Sequence, residues 1–156
     1  MSLRAWLAKR VRDLWTTPMQ SAGGQTLAES LGITTGSVVL EVGFDDDCSE
    51  EIRAAFAQAS DNDLVDIDDV DVADVSLVWF RDGDEDLIDL LVDAIAPLTD
   101  TGVVWLMTPK PGRDGHVTPA DIADAAPTAG LAVTRTVSAS RDWQGTRLVT
   151  PKGNRR

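Results

Sequence analysis

The fold is decided by the stretch Ser37-Val38-Val39-Leu40-Glu41-Val42-Gly43-Phe44-Asp45-Asp46-Asp47. Residues 37–42 form an apolar, valine-rich run without polar alternation, which is typical of a strand covered on both faces. Gly43 ends this run, and three consecutive aspartates follow after one phenylalanine. The stretch therefore predicts a buried strand that leads directly into an acidic loop.

Strand and helix signals alternate along the chain on both sides of this stretch. The sequence predicts helices near residues 26–31, 49–59, 84–98 and 118–127, and further strands near 64–67, 75–80, 103–108, 130–139 and 146–150. Repeated strand-helix-strand units imply right-handed crossovers and parallel pairing, whereas two terminal strands joined by a short connection imply an antiparallel hairpin. The expected fold is α/β, a mostly parallel Rossmann-like sheet with helices on both faces and a C-terminal antiparallel hairpin.

Two of the predicted helices begin with capping signals. Thr118-Pro119-Ala120-Asp121 combines an N-cap hydroxyl, a proline at the first helical position and a carboxylate three residues after the cap. Asp47, followed three residues later by Glu50, resembles a second capping pair. The acidic loop is therefore expected to cap the helix that follows it.

The chain is expected to form one domain at residues 26–151, preceded by a separate N-terminal helix. Residues 1–20 are interpreted as a basic amphipathic helix, 21–25 as a linker and 152–156 as a basic tail. One broad face of the helix carries its apolar side chains, which are Leu3, Trp6, Leu7, Val11, Leu14 and Trp15. We favour packing of this face on the domain or in an oligomer over attachment to a membrane.

Charge is distributed unevenly along the chain, whose formal net charge is -12. Residues 1–20 carry +3 and residues 135–156 carry +5, so the body between them carries -20. An acidic body repels phosphate backbones, and general nucleic-acid binding is therefore not expected. Cys48 is the single cysteine and cannot form an internal disulfide, and the N-terminus shows no signal-peptide pattern, so a cytoplasmic location is expected.

The order of elements resembles that of class I S-adenosylmethionine-dependent methyltransferases, whose parallel sheet finishes with an antiparallel hairpin. Residues 38–43 look like the first motif of these enzymes, and residues 98–109 look like their penultimate parallel strand with its preceding turn. Too few residues separate the second strand from Val75 for the usual helix and third strand, so that edge of the sheet is expected to be missing. The first motif should also continue with further glycines, where this chain has Phe44-Asp45-Asp46-Asp47.

The replaced glycines bear on the cofactor that the resemblance implies. Glycines there let the backbone approach a ligand closely, whereas carboxylates bring bulk and negative charge, which disfavours the pyrophosphate of NAD or FAD. S-adenosylmethionine carries no phosphate, and charge alone does not exclude it. If it binds, Gly43, Asp45 and Asp66 are the candidate contacts, with Asp66 or Asp68 holding the ribose hydroxyls. The favoured expectation is that the protein has no cofactor.

A closer resemblance is to a family of small actinobacterial proteins known only as the domain of unknown function DUF3052. Four segments carry it, namely Leu40-Glu41-Val42-Gly43-Phe44-Asp45-Asp46-Asp47, Trp79-Phe80-Arg81-Asp82-Gly83, TPKPGRDGHV at residues 108–117 and SASRDW at residues 138–143. The similarity covers most of the chain after Gly24. This family implies no established reaction.

The carboxyl ends of parallel strands share one edge of a sheet, where ligands gather in open α/β folds. That edge should collect residues 43–47, 66–69, 81–84 and 110–116. The side chains predicted to form a rim for a ligand or partner are Asp46, Asp47, Arg81, Lys110, Arg113, His116, Arg141 and Trp143. The cations among them could hold an anionic ligand, but ion pairing within the acidic body is the favoured interpretation.

The residues give little support to catalytic or metal chemistry. His116 is the only histidine, and binding of its ring to backbone groups is favoured over general acid-base work. Three consecutive aspartates cannot easily face one ion, so no metal site is predicted. Cys48 has no partner histidine at a spacing typical of a nucleophile or a zinc ligand. No catalytic residue is assigned.

Three hypotheses about function follow. The favoured one is a non-enzymatic binding or regulatory protein that keeps a degenerate methyltransferase-like scaffold and engages a protein partner or a small ligand. The alternative is a minimal S-adenosylmethionine-dependent methyltransferase with an aberrant cofactor loop. The third is self-association through the N-terminal helix, which could cover the sheet edge left open by the missing strand.

Overall fold

A computed structural model describes residues 27–83 and 86–151 of the chain. The helix predicted at residues 1–20, the linker at 21–25 and the basic tail at 152–156 lie outside these ranges. Within the described ranges, no helix combines the length and the apolar character that crossing a membrane requires.

The described residues form six strands, four α-helices and one 3₁₀ turn. In chain order they are α1 (Leu27–Ser30), β1 (Val39–Val42), α2 (Glu50–Ser60), β2 (Val65–Asp66), the 3₁₀ turn (Ile67–Asp69), β3 (Ala73–Trp79), α3 (Leu87–Ile95), β4 (Leu98–Pro109), α4 (Pro119–Thr128), β5 (Ala132–Ser138) and β6 (Trp143–Val149).

All six strands join one sheet in the order β2-β1-β3-β4-β6-β5. The first four strands of this order are parallel, β6 pairs antiparallel with β4, and β5 pairs antiparallel with β6. The predicted α/β architecture, with a mostly parallel sheet and a C-terminal antiparallel hairpin, is confirmed.

Helices cover both faces of this sheet. Trp105 and Leu106 are consecutive in β4, and because side chains alternate across a strand they point to opposite faces. Trp105 packs on the face covered by α1 and α2, where its ring meets that of Phe56 edge to face at 6.5 Å between centroids. Leu106 packs on the other face with Leu91 of α3 and Ile122 of α4. The two core layers hold the strand ends in fixed positions.

The edge of the sheet next to β2 is short, as the spacing predicted. The chain turns from β2 directly into the 3₁₀ turn and then into β3, and no further strand lies outside β2 among the described residues. The Asp66 carboxylate caps the 3₁₀ turn by accepting a hydrogen bond from the Asp68 amide at 2.9 Å. The helix and third strand of the resembling enzymes are therefore replaced by one capped turn.

One predicted helix cap is confirmed and the other is wrong. Thr118 caps α4, because its hydroxyl accepts from the Asp121 amide at 3.2 Å. The cap of α2 is Ser49, whose hydroxyl accepts from the Ile52 amide at 3.2 Å. Asp47 lies two residues before that cap, and its carboxylate is bound to Arg81 instead.

Candidate functional site

Gly43 marks the point where β1 turns into the acidic loop. Its backbone has a φ of +85°, and a Cβ added there would lie 2.5 Å from the carbonyl oxygen of Trp79. Val42 pairs with Val78 on the neighbouring parallel strand, so the loop leaves β1 in contact with the end of β3. Only glycine fits this close approach of two backbones.

Arg81, just after β3, fastens the acidic loop to the sheet. Its guanidinium binds both carboxylate oxygens of Asp47, with Nε 2.9 Å from Oδ2. It also donates to the Gly43 carbonyl at 3.1 Å and to the Cys48 sulfur at 3.2 Å. The Arg81 side chain is only 16% exposed. Residues 43–48, which we call the β1 loop, are therefore held at both ends by one side chain.

Trp143 packs against the ion pair between Arg81 and Asp47, which we call the clamp. It is 4% exposed, and its indole N–H donates to the Asp47 carbonyl at 3.2 Å. The Arg81 guanidinium lies over the Trp143 ring at 5.4 Å from its centroid, and Trp79 packs against the same ring at 4.9 Å. β6 begins at Trp143, three residues earlier than predicted, so this tryptophan belongs to the sheet and presents no open contact surface.

Glu41 in β1 is held by a second set of hydrogen bonds. Its carboxylate accepts two hydrogen bonds from Arg53 of α2, at 2.8 and 2.9 Å, and one from the Trp79 indole at 2.9 Å. The Glu41 side chain is 9% exposed. The hydrogen bonds that Arg53 donates to the Glu41 carboxylate are the main cause of the raised pKa of Arg53. Glu41 and Arg53 were not predicted as site residues, although one carboxylate inside an apolar strand was a signal for a buried partner.

Phe44 adds an exposed aromatic ring to this side of the loop. The Arg53 guanidinium lies 4.2 Å from the centroid of its ring, and Phe44 remains 48% exposed. The β1 loop therefore presents an aromatic surface next to the exposed carboxylates of Asp45 and Asp46. The Asp45 carboxylate accepts from the Asp46 amide at 2.7 Å.

Three of the remaining predicted rim residues contact neighbouring groups. His116 places Nδ1 2.9 Å from the Pro109 carbonyl, which is the backbone contact that was favoured for it. Lys110 donates to the Ser138 hydroxyl, and Arg113 forms an ion pair with Asp142. Arg141 is exposed in the turn between β5 and β6. The rim thus contains ion pairs, and Asp47, Arg81 and Trp143 form a connected cluster within it.

Cys48 lies inside the cluster as a packing group. Its sulfur accepts from the Asp45 amide and from Arg81, both at 3.2 Å. Burial is the main cause of the raised pKa of this thiol. The Cys48 thiol therefore stays protonated at neutral pH. In residues 27–83 and 86–151, no three carboxylate, thiol or imidazole groups converge as the ligands of a metal ion would.

The clamp makes stability depend on pH in a defined direction. The hydrogen bond from Arg81 lowers the pKa of Asp47 below its ordinary value of 3.8 and raises the pKa of Arg81. A lowered carboxyl pKa contributes stability above the unfolded-state pKa, and this stability is lost as the pH falls through the folded-state pKa. We therefore expect the thermal midpoint of the wild type to fall more steeply below pH 3.8 than that of Asp47→Asn.

Thermal unfolding, followed by circular dichroism, measures this difference at pH values from 2 to 7. This range extends about two pH units below the ordinary pKa of the Asp47 carboxyl group. Asp46→Asn is the matched control, because it removes a neighbouring carboxylate outside the Arg81 ion pair and should keep the wild-type slope. Equal slopes for the wild type and Asp47→Asn would contradict the clamp.

Comparison with known proteins shows the family to which this sequence belongs. Residues 28–152 match the family model described as a protein of unknown function, DUF3052. Uncharacterised proteins of Mycobacterium tuberculosis and Mycobacterium bovis are 47% identical over 151 residues, which cover 91% of this chain and 95% of theirs.

Solved structures show the fold. A SAM-dependent methyltransferase from Aquifex aeolicus matches with a TM-score of 0.53 and 12% identity over 79% of this chain and 87% of that chain. An S-adenosylmethionine-dependent methyltransferase from Mesorhizobium loti matches with a TM-score of 0.51 and 12% identity over 78% and 94%. At such identities these matches establish a methyltransferase-like Rossmann fold, and the family model and the mycobacterial relatives establish the kinship. The chain belongs to the family of proteins of unknown function DUF3052.

Proposed function

We propose that this protein is a non-enzymatic binding protein that keeps a methyltransferase-like scaffold and acts by engaging a protein partner. The observation that carries this proposal is the β1 loop, which Arg81 and Trp143 hold closed. The proposal places the protein in the cytoplasm, the compartment in which a lone cysteine such as Cys48 stays reduced.

S-adenosylmethionine would need space beside the β1 loop. In the resembling enzymes, glycines after the first strand let the backbone approach the ligand, whereas here Asp45 and Asp47 stand in that segment. Asp47 draws the Arg81 guanidinium across the end of the loop, and that guanidinium also binds the Gly43 carbonyl. The residues of the β1 loop therefore do not fit this cofactor.

Two acidic groups at the ends of β1 and β2 could hold a ligand. Glu41 accepts three hydrogen bonds from Arg53 and Trp79, so its carboxylate serves the core. Asp66 uses one carboxylate oxygen to cap the 3₁₀ turn. The engagement of Glu41 in the core supports a binding protein over an enzyme, whereas the cap uses only one carboxylate oxygen of Asp66.

The β1 loop offers an exposed surface to a protein partner. Phe44 is half exposed, its ring is stacked by Arg53, and it is flanked by the exposed Asp45 and Asp46. Aromatic rings and arginine are enriched in the centres of protein interfaces. A fixed loop carrying such a ring is suited to recognition, because little conformational entropy is lost when it binds.

One feature favours the alternative of a minimal methyltransferase. Asp66 lies at the carboxyl end of β2, opposite Glu41 in the register with β1. That is the position from which an acidic residue would hold ribose hydroxyls. The two functions therefore differ in whether Asp66 contacts a nucleoside.

Isothermal titration with S-adenosylmethionine separates the two functions. We expect no saturable heat at ligand concentrations up to about 1 mM, beside a class I methyltransferase as a positive control. Micromolar binding by the wild type that Asp66→Asn weakens by about ten-fold or more would overturn the proposal and support the methyltransferase.

A further inference from the structure

A groove lies on the face of the sheet opposite α1 and α2, between α3 and α4. Its volume is about 530 Å³, within the range of ligand-binding clefts. Its apolar lining consists of Phe80, Leu87, Ile88, Val117 and Ala125. We call this feature the acidic groove, because four carboxylates also line it.

These carboxylates define the chemistry of an occupant. They belong to Asp82, Asp86, Asp121 and Asp124, all of which are exposed. Asp86 also caps α3 by accepting from the Ile88 amide at 2.8 Å, so its charge is fixed at the groove. An apolar floor bordered by one sign of charge selects an occupant that is both apolar and cationic.

The N-terminal segment of the chain has this chemistry. Residues 1–20 carry net +3, and residues 3–15 present six large apolar side chains on one predicted helical face. Trp6 lies three and four residues before Lys9 and Arg10, a spacing that places the three side chains on the same side of a helix. We propose that residues 3–15 dock in the acidic groove of the same chain, with a tryptophan on the apolar floor and cations against the aspartates.

The connecting residues are long enough for this docking. Residues 16–26 span up to about 36–40 Å when extended, compared with a radius of gyration of about 14 Å for a domain of this size. Arg135 of β5 donates to the Ser30 carbonyl, so α1 lies beside the β5 edge of the sheet. In the proposed arrangement, the connection runs past this edge to the face that carries the groove.

Trypsin digestion of the full-length chain tests the docking, because the segment contains Arg4, Lys9, Arg10 and Arg12. Mass spectrometry gives the rate of cleavage at these residues, with a synthetic peptide of residues 1–24 as the undocked reference. We expect the wild-type chain to be cut about ten-fold or more slowly than the peptide, since cleavage requires undocking. The double variant Asp121→Lys/Asp124→Lys should be cut within about two-fold of the peptide rate.

The matched control is Asp68→Lys/Asp69→Lys, the same charge reversal on exposed residues beside β2, where the sheet edge is short. It should keep the wild-type cleavage rate, and melting curves of all variants verify that the domain stays folded. Loss of protection in this control but not in the groove variant would overturn the proposal and place the segment at the β2 edge. Wild-type cleavage at the peptide rate, or protection that appears only with dimer formation, would also overturn it.

Discussion

Replacing Gly43 with alanine is expected to lower the free energy of unfolding by about 3 kcal/mol. Two effects add. The backbone φ of +85° is rarely adopted by residues with a side chain, and the new Cβ would lie 2.5 Å from the Trp79 carbonyl oxygen. The overlap is with backbone, so relief requires β1 and β3 to move apart at the point where the β1 loop begins.

Urea unfolding of the variant measures this loss, with Gly112→Ala as the matched control. Gly112 has a similar φ of +88°, but no atom lies within 4 Å of an added Cβ. Its substitution should cost about 1 kcal/mol, from backbone strain alone. If Gly43→Ala costs no more than Gly112→Ala, the loop is not held tightly against β3.

Replacing Glu41 with glutamine is expected to lower the free energy of unfolding by about 2–3 kcal/mol. The amide group would turn N–H donors toward the Arg53 guanidinium, which would keep its charge without a carboxylate beside it. The estimate lies below the full cost of breaking a buried ion pair, because the Arg53 side chain is 29% exposed and water screens part of the charge.

Glu50→Gln is the matched control, because Glu50 contacts the same arginine at 3.1 Å while being 74% exposed. Its substitution should cost no more than about 0.5 kcal/mol. Equal losses for the two variants in chemical denaturation would show that Glu41 behaves as a surface carboxylate. That result would contradict a structural role for the Glu41 carboxylate in joining β1 to α2 and β3.

The sequence predicted the fold well where the signals are local. Apolar runs such as residues 75–80 and 103–108 marked strands, because a strand buried on both faces has no polar alternation. Thr118 was recognised as a cap because its hydroxyl and Pro119 act within one turn. The missing strand beside β2 followed from counting residues, since a helix and a strand cannot fit into so short a segment.

The contacts of the site were harder to predict because they join residues distant in sequence. Asp47 was interpreted as a helix cap, and nothing local indicated that Arg81, 34 residues away, would bind it. Trp143 falls outside the predicted strands at residues 130–139 and 146–150, since the pairing with Pro109 that extends β6 depends on the partner strand. A capping pattern predicts contacts with the next few residues only. Ion pairs across a sheet depend instead on the order of the strands.

Once the strand order is known, the closed loop has a simple physical origin. β1 and β3 are neighbours in parallel, so the residues that follow them meet at one edge of the sheet. Arg81 follows β3 and meets Asp47, which follows β1, while β6 brings Trp143 beneath both. An ion pair between Asp47 and Arg81 thus forms at the segment where the resembling methyltransferases have glycines.

We propose that the β1 loop is closed to S-adenosylmethionine, and NMR spectroscopy of the isotope-labelled protein tests this proposal at the residues concerned. The amide resonances of Gly43, Asp45, Asp47 and Cys48 are followed as the ligand is added to about 1 mM, a concentration that detects weak binding. We expect these resonances to stay unchanged. Saturable shifts of the Gly43 and Asp47 amides at micromolar ligand would contradict it.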